Sequence, residues 1–248
     1  MLSKSNIKYI QSLQHKKFRD ELGEFVAEGP KVVKEFIEQS VFECKRIYAL
    51  KTWVEQHHQL LENLLVNIEI IEPFELEKIA NYSSPNQVIG IFKKKVTIPS
   101  FNIKNTCTLL LEDIQDPGNL GTIIRSADWF GIKNIVCSPN TVDMYNPKVV
   151  QSTMASLARV NVHYFDLKKW LSQNRAKVPV LAAVLDGTSL HELTDLSESI
   201  VIIGNEANGL SQEVIQLSDK KITIPKIGEA ESLNAAVATA VILYELQK

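Results

Sequence analysis

A chain of 248 residues with 45% hydrophobic and 23% charged side chains has the make-up of an ordinary globular protein, with room for one large domain or two of average size. Its 27 basic and 29 acidic residues leave a formal charge of −2, which argues against a polybasic nucleic-acid binder. Three dispersed cysteines, Cys44, Cys107 and Cys137, argue against a disulfide framework or a zinc site and favour a reducing compartment.

In chain order, Ile7, Ile10 and Leu13 recur at helical spacing, and Phe25-Val26-Ala27 reads as a short buried strand. Val32, Val33, Phe36 and Ile37 resume a helical stripe. Strands are expected at 46–50, 66–71 and 88–92, with helices at 52–65 and 74–80. The basic, proline-containing stretch that follows Phe92 is the best break in the chain. It divides the sequence into a first module, 1–95, a linker, 96–106, and a second module, 107–248. Residues 1–106 carry 15 basic and 13 acidic side chains and the remainder 12 and 16, so the first part leans towards binding anions.

The second module alternates strand, loop and helix, the signature of an α/β fold with a mainly parallel sheet. Its strands, expected at 108–112, 134–137, 178–185, 200–203 and 221–224, are near-continuous apolar runs, as strands covered on both faces should be. A helix of small residues, expected from Leu233 to about Leu246, follows the last of them. No apolar run approaches the roughly 18 residues of a membrane span, and Met1 to Asn6 lacks a signal peptide's apolar core. A cytoplasmic protein without a membrane anchor is expected. His15, His57, His58, His163 and His191 show no ligand spacing, so no metal site is expected.

Three loops at strand ends carry the chemistry, because ligands of open α/β sheets bind outside the carboxyl ends of the strands. They are 113–121, 204–210 and 225–234, and their glycines allow tight turns and close approach of backbone to a ligand. The first loop opens a helix expected from Thr122 to Phe130. On it Arg125 faces away from the stripe of Ile123, Ile124, Ala127 and Phe130, with Trp129 one turn further. A solvated arginine is the simpler account of Arg125, and the neighbouring tryptophan favours a substrate face or a subunit interface. Ser232 is explained well enough as a helix N-cap, Asn234 less so. Neither a Gly-x-Gly-x-x-Gly turn nor a Gly-Lys-Ser/Thr loop follows the first strand, which sets aside ordinary dinucleotide and P-loop folds.

Taken together, the three loops resemble the SpoU/TrmH branch of the SPOUT RNA methyltransferases. Asp116-Pro117-Gly118-Asn119-Leu120-Gly121 with Arg125, Ala127, Phe130 and Gly131 looks like the first motif of that family, and Gly204-x-Glu206-x-x-Gly209-Leu210 looks like the second. Ile224-Pro225 with Gly228, then Ser232-Leu233-Asn234 and Glu245, looks like the third. Phe25 to Gly29 with Val33 and Glu35, and Val88 to Phe92, are similar to the family's smaller α/β, ribosomal-protein-like substrate-binding domain. Where many relatives have a basic residue and a glycine after Asn146 to Val150, this chain has Gln151 and Ser156.

The resemblance implies a C-terminal trefoil knot, a homodimer, and S-adenosylmethionine held by backbone around Gly204, Gly209, Ile224, Gly228 and Leu233. It implies methyl transfer to a ribose 2′-hydroxyl, with Asn119, Arg125, Glu206, Ser232 and Asn234 lining the reaction site. Because an arginine does not ordinarily give up its proton, Arg125 is expected to act as a fixed charge that positions phosphate and stabilises a developing alkoxide. The first module favours ribosomal RNA as substrate. A transfer-RNA methyltransferase and a non-catalytic RNA-binding relative are the alternatives. Lys16, Lys17 and Arg19, with Lys93 to Lys95, are the basic clusters expected to meet RNA phosphates.

Overall fold

The computed structural model describes residues 1–62, 64–82, 85–95, 101–193 and 197–246. The chain forms two compact units, Met1–Val96 with Asp143–Ala158, and Thr97–Val142 with Arg159–Lys248. The first therefore takes a segment that the sequence reading gave to the second module.

The first unit runs α1 (Lys4–Ser12), α2 (Lys16–Leu22), β1 (Glu24–Glu28), α3 (Pro30–Glu38), β2 (Cys44–Ala49), α4 (Lys51–Gln56), α5 (His58–Leu61), β3 (Asn67–Ile70), α6 (Pro73–Ile79) and β4 (Val88–Lys93). Its strands form a mixed sheet in the order β1-β4-β2-β3, parallel only between β2 and β3. The stripe read from sequence is the buried face of α3, whose Val32, Val33, Phe36 and Ile37 turn inward. Phe25, Phe36, Phe42 and Phe92 form an aromatic core, with rings 4.9–6.1 Å apart. The returning segment brings Tyr145 into this core, 4.6 Å from Phe25, and with it buried Val149 and Val150 of a further helix. The helix expected over 52–65 is broken at His57, where φ is −118°.

The second unit continues with β5 (Cys107–Leu111), α7 (Pro117–Trp129) and β6 (Asn134–Cys137). After α8 (Pro147–Ser152), which belongs to the first unit, come β7 (Asn161–Tyr164), α9 (Leu167–Asn174), β8 (Val180–Ser189), β9 (Ser199–Ile203), α10 (Gln212–Ile215), β10 (Lys220–Thr223) and α11 (Ala235–Glu245). All pairs in the sheet, ordered β10-β8-β9-β5-β6-β7, are parallel. Every residue of β5, β6 and β9 is buried, the physical cause of their unbroken apolar runs. Helices cover the sheet, and α7 packs against α11.

Two helix starts differ from expectation. Helix α7 begins five residues early because Asp116 caps it, accepting from the Asn119 amide at 2.8 Å, and Pro117 supplies a preset φ at the first position. Helix α11 begins at Ala235, capped by Asn234 rather than Ser232: Asn234 Oδ1 accepts from the amides of Ala236 and Val237 at 3.0 and 3.3 Å.

Candidate active site

The loops after β5, β9 and β10 meet at the carboxyl edge of the second unit's sheet. Two ties join the first pair. Glu112 accepts from the Ser211 amide at 2.8 Å and its hydroxyl at 2.6 Å, and Asn205 Nδ2 donates to the Asp113 carbonyl at 2.7 Å. The β9 loop closes on itself through a bond from the Gly209 amide to the Asn205 carbonyl. Gly209 has φ +65°, and a Cβ on Gly204 would lie 2.5 Å from Gly209 backbone, so both glycines are required by geometry. Gly228, by contrast, has open space where a Cβ would go.

Between these loops lies a cleft of about 660 Å³, within the range of small-molecule sites. Its walls include residues 203–210, 222–228 and 230–233 together with Ala183, Val184, Leu185 and Asp186. The last four come from an excursion in β8. Lys221 pairs with Ala182 and Ile222 with Thr188, so residues 183–187 stand outside the ladder. Gly187 lets the strands rejoin, since a Cβ there would meet Ile222 backbone at 2.5 Å. Sequence reasoning ended this strand at Leu185 and missed its contribution to the cleft. Gly187 was the available signal.

Of the residues expected to hold a cofactor, Gly204, Gly209, Ile224, Gly228 and Leu233 all line this cleft. Glu206 and Ser232 do too. Asn119, on the first turn of α7, donates its side-chain N–H to Glu206 Oε1 and accepts at Oδ1 from Asn234 Nδ2 at 2.9 Å. Three side chains from three loops are thus joined. Arg125 stands apart. It is six residues, or about 9 Å along the axis, beyond Asn119 on α7. It is exposed, absent from the cleft wall, and without a hydrogen bond or ion pair among the described residues. Trp129 beside it is 85% exposed.

The described residues contain no cluster of three His, Cys, Asp or Glu able to hold a metal ion, and no helix among them is long and apolar enough to cross a membrane. Burial pushes the Cys107 thiol up to about 12 and raises Cys137 further, so neither is a ready nucleophile.

The expected RNA-facing cations divide sharply. Arg19 is a correction: it is 2% exposed, bonds Asp143 through Nε and Nη2 at 2.9 and 2.7 Å, and donates Nη1 to the carbonyls of Leu13 and Gln14. Its charge is consumed in the core of the first unit. Lys16 and Lys17 are exposed, the first paired with Asp20 and the second 5.9 Å from the Phe18 ring centre. Lys93 pairs with Glu43, Lys94 with Asp20, and Lys95 is half-buried over the Phe42 ring, its amine lowered by burial.

An open parallel sheet whose glycine-bent loops build a nucleoside-sized cleft at the carboxyl edge, with a polar cluster on its wall, defines an α/β enzyme of the nucleotide-cofactor kind. More narrowly, the chain belongs to the SpoU rRNA Methylase family, which it matches over residues 106–244, and residues 4–90 match the MRM3-like substrate binding domain. It is 28% identical over 246 residues to the 23S rRNA (guanosine(2553)-2′-O)-methyltransferase RlmP of Bacillus subtilis, covering 97% of this chain and 95% of that one. The AdoMet-bound rRNA methyltransferase of Sinorhizobium meliloti superimposes with a TM-score of 0.88 at 28% identity, covering 100% of this chain and 96% of the other. A protein solved to study 2-OH methylation of C/U34 on tRNA gives a TM-score of 0.53 at 26% identity, covering 59% of this chain and 96% of its own.

Proposed function

We propose that this protein transfers a methyl group from S-adenosylmethionine to a ribose 2′-hydroxyl of ribosomal RNA. The observation that carries the reading is the joined cluster of Asn119, Glu206 and Asn234 on the rim of a glycine-built cleft. The cleft fits the cofactor: it has the volume for a nucleoside with a short tail, and Gly204 lets the loop backbone fold tightly against Gly209 on its wall. Gly204, Gly209, Ile224, Gly228 and Leu233 would hold it. The bound sulfonium supplies an already activated methyl group. The protein's own task is alignment and charge. Ser232, exposed on the wall and without a hydrogen-bond partner among the described residues, is free to bind ribose or cofactor. Arg125, unpaired and off the wall, suits a phosphate of the incoming RNA better than a proton transfer inside the cleft.

Ribosomal RNA is favoured over transfer RNA because the ribosomal relatives match 97–100% of the chain, whereas the protein solved to study methylation on tRNA matches 59% of it. Lys16 and Lys17 would contact phosphate. The apolar side chains left open on α7 and α11, Trp129, Val237 and Tyr244, support a homodimer, and the family resemblance supports a knotted carboxy-terminal segment. A reducing, cytoplasmic setting agrees with three free cysteines. The test is transfer of radiolabelled methyl from S-adenosylmethionine to ribosomal and transfer RNA, with 2′-O-methyl sites mapped in cells lacking the protein. Transfer to transfer RNA alone, or none at all, overturns the proposal.

A further inference from the structure

The cluster on the cleft wall has a direction. Asn234 Oδ1 accepts from two backbone amides at the start of α11, so its Nδ2 must be the end that faces Asn119. Asn119 must then offer Oδ1 to Asn234 at 2.9 Å and turn Nδ2 towards Glu206, where a carboxylate accepts and cannot donate. Both ends of the chain dictate the same amide orientations, which removes the usual ambiguity between amide oxygen and nitrogen. Asn119 is locked from a third side by its own amide on Asp116 Oδ1. With Oδ1 taken and Nδ2 aimed at Glu206, it has little left to offer a substrate. Glu206 is different. Its Oε1 is held by Asn119, its Oε2 has no partner among the described residues, and it lines the cleft.

We propose that Glu206 is the proton acceptor for the ribose 2′-hydroxyl and that Asn119 is a positioning residue acting through it. The proposal rests on the methyltransferase reading above. The hydroxyl O–H bond breaks towards Glu206 Oε2 as its oxygen forms the bond to the methyl carbon. The carbon–sulfur bond of the donor breaks, and its electron pair stays on sulfur as the sulfonium charge disappears. The carboxylate ends protonated and returns the proton to water after product leaves. A guanidinium would have to begin this step neutral, which its pKa forbids. The carboxylate needs no such preparation. The relay keeps Oε1 occupied so that Oε2 alone points at substrate, the kind of support that fixes a reacting group to within a fraction of an ångström. The other ionisable side chains of the wall, Asp186, Lys226 and Glu231, lie outside this relay, as does Asp116, which caps α7.

The experiment compares wild type, Glu206→Gln, Asn119→Asp and Asn119→Ala by single-turnover methyl transfer across pH, S-adenosylmethionine binding and thermal unfolding. Glu206→Gln keeps shape and should lose 10²- to 10⁴-fold in rate, the usual contribution of a general base, with cofactor binding and melting within a few-fold and a few degrees of wild type. Asn119→Asp is isosteric but sets one carboxylate against another. Its rate should fall at neutral pH and recover in part as the pH drops and the pair takes up a proton, a signature that lost structure alone would not give. Crystal structures of the Asn119 variants should show the Glu206 carboxylate turned from its native position, a readout independent of turnover. Near-normal single-turnover rate in Glu206→Gln overturns the base assignment, and a normal rate in Asn119→Asp across pH overturns the relay. A wild-type protein that methylates no RNA would sink the parent reading instead, and the assay's first arm reports that separately.

Discussion

The two units use polar side chains in opposite ways. In the first, Arg19 and Asp143 are 2% and 10% exposed and hold each other at 2.7 Å, Glu28 is buried against Asn81, and Glu75 accepts from the Leu2 amide. Each of these groups joins segments far apart in the chain and is buried away from any cleft. In the second, Asn119 sits half-buried on the first turn of α7, Glu206, Ser232 and Asn234 sit exposed outside the helices, and Glu206 and Ser232 keep unused hydrogen-bonding capacity on the cleft wall. Residues of the same chemical types thus build architecture in one place and a reaction surface in the other. Exposure and spare valence separate the two, not residue identity. Damage to the first group should therefore appear as instability, and damage to the second as lost turnover in a well-folded protein.

The sharpest way to break that comparison is Arg19→Ala. It strands the Asp143 carboxylate inside the first unit and frees two carbonyls, a change that costs about 3–5 kcal/mol in buried pairs. Chemical denaturation should show a large drop in midpoint or no folded protein. A variant of wild-type stability with weakened RNA binding would return Arg19 to the RNA surface. Arg125→Ala is the counterpart in the second unit. An exposed side chain without partners should cost no more than about 0.5 kcal/mol in stability. Methyl transfer should nevertheless fall by roughly 10²-fold if the charge acts on RNA phosphate or the developing alkoxide. Sedimentation on the same sample distinguishes this from a subunit contact, since loss of activity that tracks loss of dimer would reassign the residue.

The contrast also explains what the sequence could reveal. The buried strands of the second unit were legible because burial on both faces demands unbroken apolar runs, and 134–137 was found to the residue. Strand β7 was missed because only its two middle residues, Val162 and His163, are buried and one of them is polar. Helix α2 was missed for a related reason: its single buried residue is Arg19, which no hydrophobic pattern marks. The partner that explains Arg19 lies 124 residues away, so its role is a fact of tertiary structure alone. In the site, glycines and the family motifs exposed the loops, yet the bonds that give the relay its direction span 87 and 115 residues. Residue type located the site, and only the fold could order it.

A smaller effect tests the surface of the first unit. Lys17 carries no ion pair among the described residues, while Lys16 is held by Asp20. If Lys17 meets a phosphate, Lys17→Ala should weaken RNA binding a few-fold and reduce the slope of log K against log salt by about 0.7–0.9. Melting temperature and the rate at saturating RNA should not move. An unchanged salt slope would remove Lys17 from the footprint.

The smallest effect expected concerns Glu28, and its sign is informative. Burial raises the pKa of this carboxyl, and the bonds from the Asn81 amide and side chain only partly oppose that. A group whose folded pKa lies above its unfolded value binds its proton more tightly in the folded state. Its favourable contribution is complete below the ordinary value of 4.5 and is lost as pH rises through the folded pKa. As pH rises above that ordinary value, the burial of this carboxyl therefore works against folding. Glu28→Gln keeps the acceptor oxygen for both Asn81 donors and removes the buried charge. The variant should melt slightly above wild type near neutral pH, and the gap should close as pH falls towards 4.5. The opposite outcome, a destabilised Gln variant at neutral pH with no such pH dependence, would mean that the carboxylate charge is itself used, for example by a cation of the substrate complex. Glu28 would then cross from the architectural group to the functional one, and the division between the units would no longer follow burial.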